Sequence, residues 1–116
     1  MLGRRRARDR TSVVEYITEA QVKKAYRKIL HEKGAYVFSP VQMGYGRTTL
    51  DDLVCYRGRF IGIEAKRPGL APTKAQDLTM VAITLAGGIA VCVTHPDQVV
   101  ELLAMIDLGL KPPVRA

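Results

Sequence analysis

One stretch of sequence, DDLVCYRGRFIGIEAK at residues 51–66, decides how this protein folds. It contains two runs of β-forming residues, Leu53–Tyr56 and Phe60–Ala65, on either side of Arg57-Gly58-Arg59. Two apolar runs that flank a short glycine-containing turn are typical of a β-hairpin. The stretch therefore predicts two antiparallel neighbours within a sheet, with charged residues at their outer ends.

The register of this hairpin determines which charged side chains share a face of the sheet. With a three-residue loop at Arg57-Gly58-Arg59, Asp52 pairs with Glu64, and directly paired residues point to the same face. The opposite face then collects only Leu53, Cys55, Ile61, Ile63 and Ala65. A two-residue loop would instead place Asp51 opposite Glu64 and would mix polar with apolar side chains. The hydrophobic pattern therefore favours the three-residue loop.

Three charged side chains are expected to converge at the end of the hairpin. Glu64 and Lys66 are two residues apart on one strand, and the favoured register adds Asp52 to their face. Two close carboxylates repel each other unless a cation lies between them, and Mg²⁺ or Mn²⁺ suits carboxylate oxygens. Such an ion can polarise a phosphodiester and activate water, while a lysine stabilises the transition state. The spacing alone also fits a solvated strand end with ordinary salt bridges.

The rest of the chain predicts helices around the hairpin. Two capping boxes of the form T-x-x-Q, at 18–21 and 73–76, begin helices that end at Gly34 and at Gly87-Gly88. The second of these helices is expected to pack through Leu78, Val81, Ala82 and Leu85. The remaining elements are a strand at 35–39, a strand at 89–94 and a last helix from Asp97. The order α-β-β-β-α-β-α predicts an α/β fold with a four-stranded mixed sheet flanked by helices.

These motifs, taken in order, resemble the PD-(D/E)XK nuclease superfamily and most closely its virus-type replication–repair nuclease (VRR-NUC) branch. The resemblance extends from about Glu19 to Val100. The matching residues are Glu19, Asp52-Leu53, Gly58-Arg59-Phe60, Ile63-Glu64-Ala65-Lys66, Pro72-Thr73, Gln76 and Gly87-Gly88. The chain departs from the pattern at Asp51, because the family usually has a proline before its aspartate.

The resemblance implies a restriction-endonuclease-like fold and a specific set of site residues. In the family, the matched positions that bind metal are Asp52, Glu64 and the carbonyl of Ala65, and those that assist the reaction are Lys66, Gln76 and Glu19. We therefore expect Asp52, and not Asp51, to be the metal ligand. For Gln76, helix capping alone would be a sufficient explanation. Glu19 could equally stand at the exposed end of its helix stripe.

The activity that the resemblance implies is that of an Mg²⁺- or Mn²⁺-dependent deoxyribonuclease. Stand-alone nucleases of this kind suggest an endonuclease that selects branched DNA, such as a four-way junction, or that has a weak sequence preference. The alternative is a non-catalytic DNA-binding module on the same fold. We also expect a homodimer, because one active site cuts one strand and a symmetric dimer places two sites on a duplex or junction.

Charge supports a nucleic-acid partner. The net charge is +7, of which residues 1–10 supply 5 − 1 = +4 and the remainder supplies 7 − 4 = +3. Basic proteins attract polyanions, although such a tail can also serve solubility alone. We expect a disordered basic tail at 1–11 and a single nuclease domain at 12–116. Tyr45 and Arg47, in a glycine-containing loop, could contact DNA or simply belong to a mobile loop.

Composition argues against other classes of protein. The chain has no apolar run of about 18 residues that could cross a bilayer, so no membrane partner is expected. Cys55 and Cys92 each lie within an apolar, β-like run and have no metal-binding spacing. We interpret them as reduced core residues of a cytosolic protein, in a bacterium or a phage-infected host cell.

Overall fold

The computed structural model describes residues 15–41 and 49–112 of the 116-residue chain. The predictions for the basic tail at 1–11 and for Tyr45 and Arg47 lie outside these residues. The elements are α1 (Glu19–Glu32), β1 (Tyr36–Phe38), β2 (Asp52–Tyr56), β3 (Arg59–Ala65), α2 (Lys74–Leu85), β4 (Ile89–Val93) and α3 (Pro96–Asp107). This order confirms the predicted α-β-β-β-α-β-α arrangement. In the described part of the chain, no helix is long and apolar enough to cross a membrane.

The four strands form one mixed sheet in the order β1-β2-β3-β4. β1, β2 and β3 are antiparallel neighbours, and β3 pairs with β4 in parallel. The parallel pair is connected through α2, as a crossover requires. The predicted α/β fold with a four-stranded mixed sheet and flanking helices is therefore confirmed.

The main core lies between one face of the sheet and the helices α1 and α3. Its fully buried residues include Val22, Tyr26, Leu30, Val54, Ile61, Ile63, Val99 and Leu103. A smaller cluster on the other face joins Leu50, Met80 and Ala90 under α2. The end of β3 therefore runs between two layers of helices, which explains why six consecutive residues, 61–66, are buried.

The packing face predicted for α2 is wrong. Leu78 and Leu85 are 61% and 83% exposed, whereas Met80 is buried and Ile83 is half-buried. The physical reason is that α2 contacts β3 and β4 and leaves much of the face near β1 and β2 open. Cys55 on β2 is exposed for the same reason, and the prediction that it is a core residue is also wrong.

The predicted hairpin register is wrong by one residue. Tyr56 pairs with Arg59 and Asp52 pairs with Ile63, so the loop contains only Arg57 and Gly58. Both loop residues have positive φ, 48° and 76°. This is the backbone of a type I′ turn, whose twist matches the right-handed twist of the two strands.

The corrected register reverses the places of the two aspartates. Continued by one residue, it sets Asp51 opposite Glu64. Asp52 then lies on the α1 side of the sheet with Val54 and Tyr56. The residues of β3 that share this core face are Ile61, Ile63 and Ala65.

Asp52 is fully buried and hydrogen-bonded on all sides. The Nε of Arg27 donates to both carboxylate oxygens, at 3.0 Å to Oδ1 and 3.1 Å to Oδ2. The hydroxyl of Tyr26 donates to Oδ2, and that of Ser39 donates to Oδ1. Burial, together with this bond to Asp52, raises the pKa of Tyr26 above its ordinary value. The buried carboxylate of Asp52 thus connects three parts of the fold: strand β2, helix α1 and the segment that follows β1.

We expect Asp52→Asn to destabilise the protein by about 2–4 kcal/mol, because it leaves the guanidinium of Arg27 without its charged partner. Asp51→Asn is the matched control, since it changes the adjacent carboxylate by the same atoms and should cost less than about 1 kcal/mol. Urea denaturation of both variants in EDTA, followed by circular dichroism, measures the difference. Equal unfolding midpoints for the two variants would contradict this role of Asp52.

Candidate active site

Asp51 and the end of β3 form the centre of the candidate site. Oδ2 of Asp51 accepts a hydrogen bond from the backbone N–H of Ala65 at 2.9 Å. This bond replaces the ladder pairing that would continue beyond the start of β2. The N–H and C=O of a strand residue point to the same side of the strand. The carbonyl of Ala65 is therefore directed toward the Asp51 side as well.

The carboxyl groups of Asp51 and Glu64 are in contact. The Glu64 side chain is only 3% exposed. Burial, followed by the charge of Asp51 and a hydrogen bond between the two carboxyl groups, raises the pKa of Glu64 to about 8. The negative charge of Glu19 also raises this pKa, whereas the positive charge of Lys66 lowers it. Burial of Glu64 beside a second carboxyl group is therefore the main cause of the raised pKa, although Lys23 and Lys66 each pair with one of the two carboxyl groups.

Lys66 brings a buried cation to the same face of β3. Its backbone N–H donates to the carbonyl of Val93 at 2.9 Å, which continues the parallel pairing with β4. Its Nζ lies 3.9 Å from Oε2 of Glu64, at the long limit of an ion pair. At this distance the ammonium offsets part of the negative charge of Glu64.

Helix α1 contributes two further charges at the site. Glu19 is its first residue, and its charge acts on Glu64. Nζ of Lys23 lies 3.3 Å from Oδ1 of Asp51. The sequence analysis missed Lys23, although a signal was present: residues four apart on a helix share a face, so the candidate Glu19 also pointed to Lys23.

The N-terminus of α2 closes the site. A cavity of about 290 Å³ is lined by Thr49, Asp51, Glu64, Thr73, Ala75, Gln76 and Thr79. The capping box is confirmed: the amide oxygen of Gln76 accepts from the N–H of Thr73 at 2.9 Å, and the Gln76 N–H donates to the Thr73 hydroxyl at 3.2 Å. A helix N-terminus carries partial positive charge and favours an anion such as a phosphate.

The structure brings together most of the predicted site residues. Those that converge are Glu19, Glu64, Ala65, Lys66 and Gln76. It does not bring Asp52 to them, and Asp51 lies at the place expected for Asp52. The missed signal was in the turn: two-residue loops with glycine in second place are among the commonest hairpin connections.

The oxygen atoms at the site can be compared with those that divalent metals prefer. Within residues 15–41 and 49–112, no group of three or more histidine, cysteine or acidic side chains is arranged to hold an ion. Asp51 and Glu64 offer two carboxylates, and the Ala65 carbonyl is directed toward them. Oxygen donors of this kind suit Mg²⁺ and Mn²⁺. The two carboxyl groups lie together on one face of the sheet, and a cation between them would relieve their repulsion, so the residues fit such an ion.

Comparison with known proteins gives one informative result. No protein-family model matches the chain, and no curated protein matches it. A solved structure described as a VRR_NUC domain superposes with a TM-score of 0.64 at 22% sequence identity. The match covers 77% of this chain and 97% of that chain. The predicted resemblance is therefore confirmed at the level of the fold: this chain has the α/β fold of a VRR_NUC domain.

Proposed function

We propose that this protein is a divalent-metal-dependent nuclease that hydrolyses phosphodiester bonds in DNA. The observation that carries the proposal is geometric: Asp51 and Glu64 lie opposite each other at the end of the β2–β3 hairpin, beside the buried Lys66 and the N-terminus of α2. The shared fold with a VRR_NUC domain supports a nuclease-type domain. A net charge of +7 supports a polyanionic substrate.

We assign the metal ligands to Asp51, Glu64 and the carbonyl of Ala65. Asp51 takes the role that the resemblance gave to Asp52. The oxygens of Asp52 accept bonds from Tyr26, Arg27 and Ser39 on the other face of the sheet, and a metal there would have to displace a satisfied network. A bound Mg²⁺ or Mn²⁺ would supply a Lewis acid and a water of lowered pKa.

The protein groups around the ligands have separate roles in this proposal. The ammonium of Lys66 stabilises negative charge on the phosphate oxygens in the transition state and orients the attacking water. The amide of Gln76, at the N-terminus of α2, donates to a phosphate oxygen or to that water. Glu19 adds negative charge that strengthens cation binding. Lys23 holds the Asp51 carboxylate in place.

The substrate in this proposal is branched DNA, such as a four-way junction, or DNA read with little sequence preference. A non-catalytic DNA-binding module would use the same fold and the same basic charge. A cleavage assay separates the nuclease from the binding module. Only a nuclease would cut DNA, and its cutting would depend on the carboxylate pair and Lys66.

Cleavage should be abolished by EDTA and restored by Mn²⁺ or Mg²⁺. Lys66→Ala and Asp51→Asn should each reduce the cleavage rate by at least roughly 100-fold, since each removes a group that acts on the transition state or its metal. A gel assay on a labelled four-way junction and on linear duplex of equal length measures both rates.

Asp52→Asn is the matched control for the ligand assignment. At a temperature at which circular dichroism shows it folded, this variant should retain most of the wild-type rate, whereas Asp51→Asn should not. Full cleavage in EDTA would disprove the metal mechanism. Loss of cleavage in folded Asp52→Asn with retention in Asp51→Asn would return the ligand role to Asp52.

Metal binding should release a proton. Glu64 must be ionised to act as a ligand, and its pKa is raised to about 8. Affinity for Mn²⁺ should therefore rise with pH from about 6 and level off above the Glu64 pKa. Calorimetry in two buffers of different ionisation enthalpy counts the protons released. Glu64→Gln should lose this buffer dependence. A wild-type affinity for Mn²⁺ that is constant from about pH 6 to 9 would count against the raised pKa of Glu64.

The raised pKa of Glu64 also predicts that the stability of the metal-free protein falls as the pH rises. A folded-state pKa above the unfolded value stabilises the protein at low pH, and this contribution is lost as the pH rises through about 8. Thermal melts in EDTA should show that Glu64→Gln gains stability relative to wild type as the pH increases. A difference that does not vary with pH would contradict it.

We further propose that two copies of the chain associate. Leu78 and Leu85 project from the outer surface of α2, and one active site cuts only one strand. Sedimentation should show a dimer that the double variant Leu78→Gln/Leu85→Gln converts to monomer, while Leu108→Gln, at an exposed leucine after α3, does not. Wild type that sediments only as monomer, with and without DNA, would rule out the dimer.

A further inference from the structure

An apolar groove runs between the β2–β3 hairpin and α2. It has a volume of about 580 Å³, within the roughly 300–1,000 Å³ range of ligand sites. Its lining residues include Leu53, Arg59, Phe60, Ala82, Ile83 and Ala86. Phe60 is 46% exposed, so much of its aromatic ring faces solvent and does not pack in the core. None of the roles assigned above uses this groove.

The groove is continuous with the candidate active site. Thr49 and Thr79 line both the groove and the cavity that contains Asp51, Glu64 and Gln76. On the sheet, the residues that share this face follow in rows: Cys55 pairs with Phe60, Leu53 pairs with Gly62, and the next row is Asp51 with Glu64. If one part of a ligand binds at Asp51 and Glu64, the part next to it therefore lies over Leu53 and Phe60.

The chemistry of the groove fits a flat aromatic group attached to a phosphate chain. Phe60 offers a ring for stacking, and Leu53 and Ile83 offer apolar contact. The phosphate chain would lead from the groove to the adjoining cavity at Asp51, Glu64 and Gln76. The same face continues outward to the exposed rings of Tyr36 and Phe38, which pair with Cys55 and Leu53. Proteins that bind unpaired nucleic acid stack its bases on aromatic rings of this kind.

We propose that this groove binds an unpaired nucleobase next to the phosphodiester that is cut. The proposal rests on the proposed nuclease function and names the feature of DNA that the site selects. A base in a continuous duplex is stacked and paired, and it can enter a side groove only at the cost of unstacking. A base at a branch or flap avoids that cost. The groove thereby gives the protein a preference for branched over fully paired DNA.

Binding in EDTA tests the groove without any cleavage. The probes are a flap duplex and a fully paired duplex of equal length, each with 2-aminopurine at the same position, which in the flap is the first unpaired nucleotide. Wild type should quench the flap probe and bind it more tightly than the duplex. Phe60→Ala, which removes the ring, and Ala82→Leu, which fills the groove from α2, should each lower flap affinity by roughly 5- to 100-fold. Duplex affinity should not change.

Leu108→Ala is the matched control, because it truncates an exposed leucine remote from the groove. Circular dichroism establishes that each variant folds. Equal losses on flap and duplex DNA, or no loss on either, would overturn the proposal. A groove variant that changes the sedimentation coefficient but leaves the quenching intact would also overturn it, since the occupant would then be a second copy of the chain.

The two proposals fail in distinguishable ways. If wild type cuts no DNA with any metal but shows the flap preference and its loss in Phe60→Ala, the nuclease function is rejected and the groove is retained. If wild type cuts DNA and Phe60→Ala leaves the ratio of flap to duplex cleavage unchanged, the groove is rejected and the nuclease function is retained.

Discussion

The two-residue turn at Arg57-Gly58 is the constraint on which the site depends. Its two positive φ angles fix the type I′ geometry, and this geometry fixes the register of β2 against β3. Because side chains alternate between the faces of a strand, a shift of one residue moves every side chain to the opposite face. The turn thereby sends Asp51 to the α2 side with Glu64 and sends Asp52 to the α1 side.

The two adjacent aspartates show how burial distinguishes structural from functional charge. Asp52 is surrounded by donors from Tyr26, Arg27 and Ser39, so its negative charge is compensated within the fold. Asp51 faces a second acid, Glu64, whose pKa is raised by burial and by the charge of Asp51. Placing two acids together in this way costs stability, and the proposed metal would offset that cost.

Helix α2 connects the structural arrangement to the proposed activity. Its N-terminus, capped by Thr73 and Gln76, lines the cavity at the carboxylates, and its later turns form one wall of the apolar groove. Because α2 packs through Met80 and Ile83 against β3 and β4, it leaves Phe60 and the neighbouring strands accessible. One helix thus lines both the candidate active site and the groove beside it.

The sequence by itself determined the elements, their order, both T-x-x-Q capping boxes and the shared face of Glu64 and Lys66. These features depend on local periodicity and on side chains within a few residues of one another. Only the tertiary structure decided the register, the packing face of α2 and the exposure of Cys55. The polar–apolar pattern of the hairpin misassigned Asp52 because its compensating cation, Arg27, comes from a helix 25 residues earlier. No pattern within a strand shows that a distant helix will bring a partner to a buried charge.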